Sequence, residues 1–139
     1  MQTETQPRTP APWTPPRGSD IEMVEVGPYW DAVRAPAVVG ERALQLLGRA
    51  AGAVIADYSQ MYWLIQPGAA SGWPRIRQVG VLSPPLAEVT YVGVPPAART
   101  RGPGLHWRLP VGPGQYFTGA VRLRDALVQA VTAEEAAVR

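Results

Sequence analysis

The sequence predicts an α+β fold, a two-layer sandwich in which two amphipathic helices pack on one face of a mixed or antiparallel sheet. Residues 37–51 and 118–136 repeat apolar side chains at the spacing of a helix. Short apolar stretches typical of strands precede and separate these two helices. The resulting order ββαβββββα allows both helices to cover a single sheet.

Domain organisation follows from length and composition. The chain has 139 residues, of which 46% are hydrophobic, enough for one packed core. Residues 1–20 contain five prolines among polar residues, with Trp13 as the single large apolar side chain, and predict a disordered proline-rich arm. This arm is either a docking peptide or an unselected tail. Residues 21–139 then form a single α+β domain.

The first half of this domain contains two strands and a helix. Residues 21–26 and 29–35 read as strands separated by Gly27 and Pro28. In the helix over residues 37–51, Gly52 is placed to end the last turn. The apolar positions at helical spacing are Val39, Ala43, Leu46, Leu47 and Ala50.

Five more strands and a helix complete the order. Residues 53–58 and 61–66 predict a hairpin, because only a few polar residues separate them. Residues 75–79, 89–94 and 105–109 predict three short strands, and we expect the rings of Tyr91 and Trp107 to cover the helices. The last helix begins at Thr118 or Gly119. Its buried side consists of Leu123, Leu127, Ala130 and Val131.

Several kinds of site are disfavoured by composition. The chain has no cysteine and a single histidine, His106, so we expect neither a disulfide framework nor a metal site, and no cofactor. No stretch approaches the roughly 18 apolar residues that a membrane helix needs, and the N-terminus lacks the pattern of a signal peptide. We therefore expect a cytoplasmic protein without a membrane partner.

The positive charge is carried by arginine alone. All 13 basic side chains are arginines. A GC-rich coding sequence explains this composition. The alternative explanation is selection of guanidinium groups because they bind phosphate. Residues 21–70 have a net charge of −2, whereas residues 71–110 have a net charge of +4. The second segment is therefore where an anionic partner is expected.

The candidate binding residues lie in this positive segment. Arginine side chains in a loop rich in glycine and proline can grip phosphate, and a tryptophan in a loop can stack on a base. A solvated loop is the alternative interpretation. The predicted nucleic-acid-binding residues are Arg75, Arg77, Arg99, Arg101, Arg108 and Trp73. We predict structural roles for Trp63, Tyr91 and Trp107.

No catalytic residues are predicted. His106 has no carboxylate partner nearby in the sequence, so a structural role is favoured over acid-base chemistry. Asp57, Tyr58 and Ser59 place an acid beside a hydroxyl, yet the chain has no nucleophile elbow and no second histidine. A hairpin turn accounts for these three residues.

Three segments carry a resemblance to a known family. Residues 30–48 read as a strand leading into a helix, residues 53–68 as the hairpin that follows, and residues 90–107 as a strand, a Pro-Pro turn and an aromatic strand. Together they resemble the second half of the bifunctional DNA primase-polymerase (archaeo-eukaryotic primase-like) domain, in a shortened form similar to those of high-GC actinobacteria. The resemblance implies a shared ancestry and a nucleic acid or nucleotide as partner.

This chain departs from the family where the family binds metal. The resemblance places the family's metal-binding carboxylates at Val33 and Ala35, with the third near Arg75 or Ile76. Hard divalent cations need anionic oxygen ligands, which these side chains lack. The family's phosphate-contacting histidine has no counterpart in residues 59–62, and Asp31 and Asp57 are isolated as substitutes.

Three functions remain open. The first is a non-catalytic accessory protein, related to the primase-polymerase fold, that binds nucleic acid or a nucleotide through the arginines of residues 71–110. The second is a protein-interaction or regulatory module that uses the proline-rich arm and an exposed sheet edge. The third is a small-molecule enzyme with an unrecognised site. The oligomeric state is not predicted.

Overall fold

The computed structural model describes residues 13–84, 89–112 and 116–138. The elements are β1 (Glu22–Glu25), β2 (Asp31–Pro36), α1 (Ala37–Leu47), a 3₁₀ turn (Gly48–Ala50), β3 (Val54–Ala56), β4 (Gln60–Ile65), β5 (Gly80–Leu82), β6 (Tyr91–Val94), β7 (His106–Leu109) and α2 (Ala120–Val138). The order is ββαβββββα, and the predicted α+β sandwich is confirmed. No helix in these ranges combines the length and hydrophobicity that a bilayer crossing requires.

Five strands form one sheet in the order β5-β2-β4-β3-β7, and every neighbouring pair is antiparallel. Strand β2 pairs with β4 along its whole length, from Asp31 opposite Ile65 to Pro36 opposite Gln60. Strands β3 and β4 form the predicted hairpin. Strands β5 and β7 therefore occupy opposite edges of the sheet, which decides where the arginines lie.

The helices cover one face of this sheet. Alternate side chains of β4, namely Met61, Trp63 and Ile65, pack with both helices in one buried cluster. Helix α1 approaches closely at Gly40, where a Cβ atom would lie 2.5 Å from the sulfur of Met61. The α-helix ends at Leu47, earlier than the predicted end beside Gly52, because Gly48 adopts a φ of 54°, which glycine tolerates without strain.

A two-stranded ribbon of β1 and β6 covers the other face. Its inward residues Val24, Val92 and Val94 pack on a second cluster that contains Trp107. The prediction that Tyr91 and Trp107 cover the helices is wrong, since Trp107 lies on the ribbon side and Tyr91 is 54% exposed. Tyr91 lies on β6, which pairs with β1 and not with the main sheet. Trp107 lies opposite Ile55 of β3, and both side chains belong to the ribbon-side cluster.

The predicted strand over residues 75–79 is also wrong. The chain turns there, with Val79 N–H donating to the carbonyl of Ile76 and Gln78 at a φ of 68°. Extended structure begins only at Gly80, where the chain pairs with β2. The arginines of this segment consequently lie in a loop and not on a strand.

Residues 13–20 contact the domain. Trp13 is partly buried, and its ring lies 5.3 to 6.5 Å from the centroids of four aromatic rings, those of Tyr29, Trp30, Trp107 and Tyr116. Ala97 N–H donates to the carbonyl of Pro16 at 2.8 Å. Trp13 therefore belongs to the second cluster and not to an unattached arm. The rest of the predicted disordered arm, residues 1–12, lies outside the described residues.

Candidate functional site

The six predicted binding residues form two groups at opposite edges of the five-stranded sheet. Trp73, Arg75 and Arg77 lie in the loop that leads into β5, whereas Arg99, Arg101 and Arg108 lie on β7 or in the loop before it. Four strand spacings of about 4.8 Å separate the two edges by about 19 Å. The structure does not bring the six residues onto one surface.

At the β7 edge, the arginines are largely engaged within the protein. The Arg108 guanidinium donates two hydrogen bonds of 2.9 Å to the carboxylate of Glu41 on α1. The same hydrogen bond lowers the pKa of Glu41 and raises the pKa of Arg108. Arg99 donates to the carbonyl of Ser19 at 3.1 Å. Arg101 is exposed and has no ion pair within the described ranges.

At the β5 edge, three arginines line a single cavity of about 630 Å³, which we call the arginine cavity. Arg75 and Arg77 come from the loop, and Arg34 comes from β2. Arg34 lies here because its register partner on β5 is Gly80. The missing side chain leaves room for the guanidinium, whose Nη2 lies 3.1 Å from where a Cβ atom of Gly80 would be.

One carboxylate, that of Glu135 on α2, lies among the lining residues of the arginine cavity. Its oxygen is 3.3 Å from Nε of Arg77, and the two side chains are 36% and 81% exposed. An ion pair this exposed is weak because water screens it. Arg34 and Arg75 have no ion pair in the part of the chain that the structure describes. The lining therefore has a net charge of +2 from three arginines and one glutamate.

A second cavity, of about 470 Å³, adjoins the first and is mainly apolar. We call it the tryptophan cavity, because Trp73 lines it together with the apolar side chains of Ala70, Pro74, Ile76, Val79 and Val81. Arg75, Ile76 and Val79 line both cavities. The two cavities thus lie side by side with a shared wall, and together they are named here the β5-edge groove, with an apolar part and a cationic part.

Asp31 holds the segment that forms this groove. Its side chain is 1% exposed, and its Oδ2 accepts hydrogen bonds from Gly68 N–H at 2.8 Å and from the Ser83 hydroxyl at 2.6 Å. Gly68 precedes the lining residues of the loop, and Ser83 is itself one of the last lining residues of the segment. One buried side chain therefore connects Gly68, before the groove-forming segment, to Ser83 near its end.

The carboxylates considered as substitute metal ligands serve the local structure. Asp57 Oδ1 accepts from the backbone N–H groups of Ser59 and Gln60 at 2.9 and 2.7 Å, which is the predicted turn of the hairpin. Asp31 and Asp57 lie at opposite ends of β4, roughly 17 Å apart at about 3.3 Å per residue. Among the described residues, no three histidine, cysteine, aspartate or glutamate side chains are grouped to hold a metal ion.

The remaining candidates have structural surroundings. Val33 and Ala35, the positions that the resemblance assigns to metal ligands, are fully buried beneath the helices. His106 lies with its Nδ1 2.8 Å from the carbonyl of its neighbour Gly104. Of the four aromatic residues to which the sequence assigns a stacking or a structural role, Trp63 and Trp107 are buried and Tyr91 lies on the ribbon. Trp73 alone of these four lines the β5-edge groove.

Three residues that form or support the groove were not predicted from the sequence. Arg34 and Glu135 line the arginine cavity, and Asp31 holds the loop through its hydrogen bonds. Arg34 carried a usable signal, because it is the one charged residue between the buried Val33 and Ala35 of β2. A polar side chain that alternates with apolar ones along a strand marks the face opposite the one that the apolar side chains cover. The position of Glu135 beside Arg77 depends on how α2 packs against the loop. No feature of the sequence predicts this contact.

Comparisons with protein-family models, with curated proteins and with solved structures found no match to this chain. The resemblance to the primase-polymerase domain therefore stays a prediction from the residues. The function has to be argued from the geometry of the β5-edge groove.

Proposed function

We propose that the protein binds nucleic acid or a nucleotide through phosphate at the β5-edge groove and does not catalyse nucleotide transfer. The observation that carries this proposal is the convergence of Arg34, Arg75 and Arg77 on one cavity that contains a single carboxylate. Guanidinium groups match phosphate geometry with paired hydrogen bonds. Trp73 in the adjoining cavity supplies an aromatic surface for a base.

The electrostatics favour this edge over the other. Arg75 and Arg34 have no carboxylate partner among the described residues, so a phosphate displaces only water and the exposed contact between Arg77 and Glu135. At the β7 edge, by contrast, a ligand would first have to break the paired hydrogen bonds from Arg108 to Glu41. An anion therefore binds more favourably where the guanidinium groups do not already donate hydrogen bonds to a carboxylate of the protein.

The absence of catalysis and the relation to the primase-polymerase fold belong to the same proposal. The positions that resemble the family's metal-binding strand carry Val33 and Ala35, whose apolar side chains are enclosed by the helix-side core. Asp31 Oδ2 accepts the hydrogen bonds from Gly68 N–H and the Ser83 hydroxyl that hold the loop. We accordingly propose an accessory binding protein derived from that fold, acting in the cytoplasm.

A salt titration of binding to a labelled nucleoside monophosphate and to labelled single-stranded and duplex DNA tests the proposal. Replacing Arg34, Arg75 and Arg77 by alanine should weaken binding and reduce the slope of log K against log salt by about 0.7 to 0.9 per lost phosphate contact. The matched control replaces Arg49, Arg101 and Arg122, which are exposed and have no ion pair within the described ranges. Equal losses in both triple variants would leave only a general charge effect and refute the site.

A second candidate function is a protein-interaction surface on the outer face of the ribbon. Ile21, Met23 and Tyr91 are 46%, 61% and 54% exposed and lie close together around Gly93, which has no side chain. An exposed apolar patch of this kind often marks an interface. Replacing Met23 and Tyr91 by glutamate should abolish binding of a protein partner here while the β5-edge groove keeps its affinity for phosphate ligands.

A further inference from the structure

The β5-edge groove has two unlike compartments side by side, and a ligand that fills both must have two unlike parts. The arginine cavity offers guanidinium groups, and the tryptophan cavity offers the indole of Trp73 with aliphatic walls formed by Ile76 and Val79. Arg75 lines both compartments, so the charged and apolar parts of the ligand must be directly adjacent.

The charge of the arginine cavity distinguishes between kinds of phosphate. Its lining has a net charge of +2 with Glu135 included. A phosphomonoester carries a charge of about −1.5 to −2 at neutral pH, whereas each phosphodiester of a nucleic-acid backbone carries about −1. A monoester therefore neutralises the positive charge of the cavity, whereas one internal diester leaves part of that charge uncompensated.

The size and position of the groove limit the length of the ligand. The tryptophan cavity measures about 470 Å³, within the range of about 300 to 1,000 Å³ that is usual for small-molecule sites. Beyond Glu135 on α2, Arg42 is paired with Glu134. At the opposite sheet edge, Arg99 and Arg108 are hydrogen-bonded to Ser19 and Glu41. Arg42, Arg99 and Arg108 are thus engaged within the protein and do not extend the cationic surface of the groove towards the opposite edge.

Resting on the proposed function, we propose that the β5-edge groove takes one small phosphomonoester that carries a flat, largely apolar group. The phosphate lies among Arg34, Arg75 and Arg77, and the flat group lies against Trp73. A nucleoside monophosphate and an aryl phosphate share this chemistry. The interior of a nucleic-acid strand does not, because its phosphates are diesters.

Calorimetric titration with a matched series of ligands tests the inference. Adenosine monophosphate represents the nucleoside monophosphates, and naphthyl phosphate represents the aryl phosphates. Inorganic phosphate lacks the flat group, adenosine lacks the phosphate, and the methyl ester of adenosine monophosphate has the flat group but a single negative charge. A short single-stranded oligonucleotide without terminal phosphate represents the strand interior.

We expect at least one of the two monoesters to bind about tenfold more tightly than the methyl ester and than inorganic phosphate, a difference of about 1.4 kcal/mol. Tighter binding of the adenosine compound identifies a nucleotide as the source, and tighter binding of the naphthyl compound identifies a different aryl phosphate. Replacing Trp73 by alanine should remove the advantage over inorganic phosphate, whereas Trp73→Phe should retain it. Arg34→Gln, at an exposed position, should weaken binding without affecting folding.

Two results would overturn the inference, and they separate it from the proposed function. An oligonucleotide that binds more tightly than either monoester, with affinity that rises with its length, would refute the inference while nucleic-acid binding stands. If neither the monoesters nor the oligonucleotide bind, both proposals fail.

Discussion

The two edges of the sheet each place three arginines near the surface, yet their surroundings differ. At the β5 edge, Arg34 and Arg75 have no ion-pair partner within the described residues and share a cavity with Arg77. At the β7 edge, Arg108 is bonded to Glu41, and Arg99 is bonded to a backbone carbonyl. The count of basic residues is thus a poor guide to anion binding. What matters is whether the protein already satisfies each guanidinium group.

The two edges also depend on different supports. The groove-forming segment at the β5 edge is held by the buried carboxylate of Asp31. The loop before β7 is held by residues 13–20, through Pro16 and Ser19, and Trp13 packs against Trp107 of β7 itself. Because the supports are separate, each edge can be perturbed without the other.

The largest effect is expected from Trp13→Ala. It removes a partly buried ring that contacts four other aromatic rings, so the free energy of unfolding should fall by about 2 to 3 kcal/mol. Urea unfolding measures the loss. The folded variant should keep its affinity for phosphate ligands, because Trp13 does not line the β5-edge groove. A loss below about 0.5 kcal/mol, typical of surface positions, would show instead that residues 1–20 behave as an unattached arm.

Asp31→Ala should affect the β5 edge specifically. The variant leaves Gly68 N–H without its acceptor and leaves the Ser83 hydroxyl with the carbonyl of Pro84 at 3.1 Å in place of the carboxylate, which should cost about 2 kcal/mol of folding free energy. Affinity for phosphate ligands should also fall by about tenfold, since a displaced loop no longer brings Arg75 and Arg77 to Arg34.

The matched control for this variant is Asp57→Ala, since Asp57 also accepts two hydrogen bonds but lies in the hairpin at the other end of β4. It should lose about 1 kcal/mol of stability and keep its affinity. Equal affinities in the two variants would contradict the positioning role of Asp31.

A smaller effect is expected from Glu135→Gln. Removing the carboxylate beside Arg77 takes away a competitor for the guanidinium, so affinity for phosphate should rise about threefold at low salt, in line with the 0.2 to 1 kcal/mol of exposed ion pairs. Glu134→Gln is the control, because the adjacent Glu134 pairs with Arg42 and does not line the groove. Lower affinity in Glu135→Gln would place Glu135 among the ligand-binding groups.

Much of the fold was predictable because its signals are local. The helical spacing of Val39 and Ala43 follows from contacts of one element with one layer, and the hairpin of β3 and β4 follows from the short connection between two neighbouring strands. The separation of β1 and β6 into a ribbon was not predictable in this way. It depends on which strands pair, and strand pairing is a long-range property.

The candidate site was predictable only in part, for the same reason. Trp73, Arg75 and Arg77 are neighbours in sequence and were found together. Arg34 joins them through its register with Gly80, and the β7-edge arginines are removed from them by the strand order. Sequence proximity therefore identified the loop but not the cavity that the loop completes.

An NMR titration of the wild-type protein with a phosphomonoester tests most directly the claim that the two edges differ in their availability to anions. Arginine Nε–Hε and tryptophan indole signals report on each side chain without any substitution. We predict saturable shifts for Arg34, Arg75 and Arg77 and for the indole of Trp73, with Arg99 and Arg108 unmoved. Shifts confined to Arg99, Arg101 and Arg108 would contradict the account.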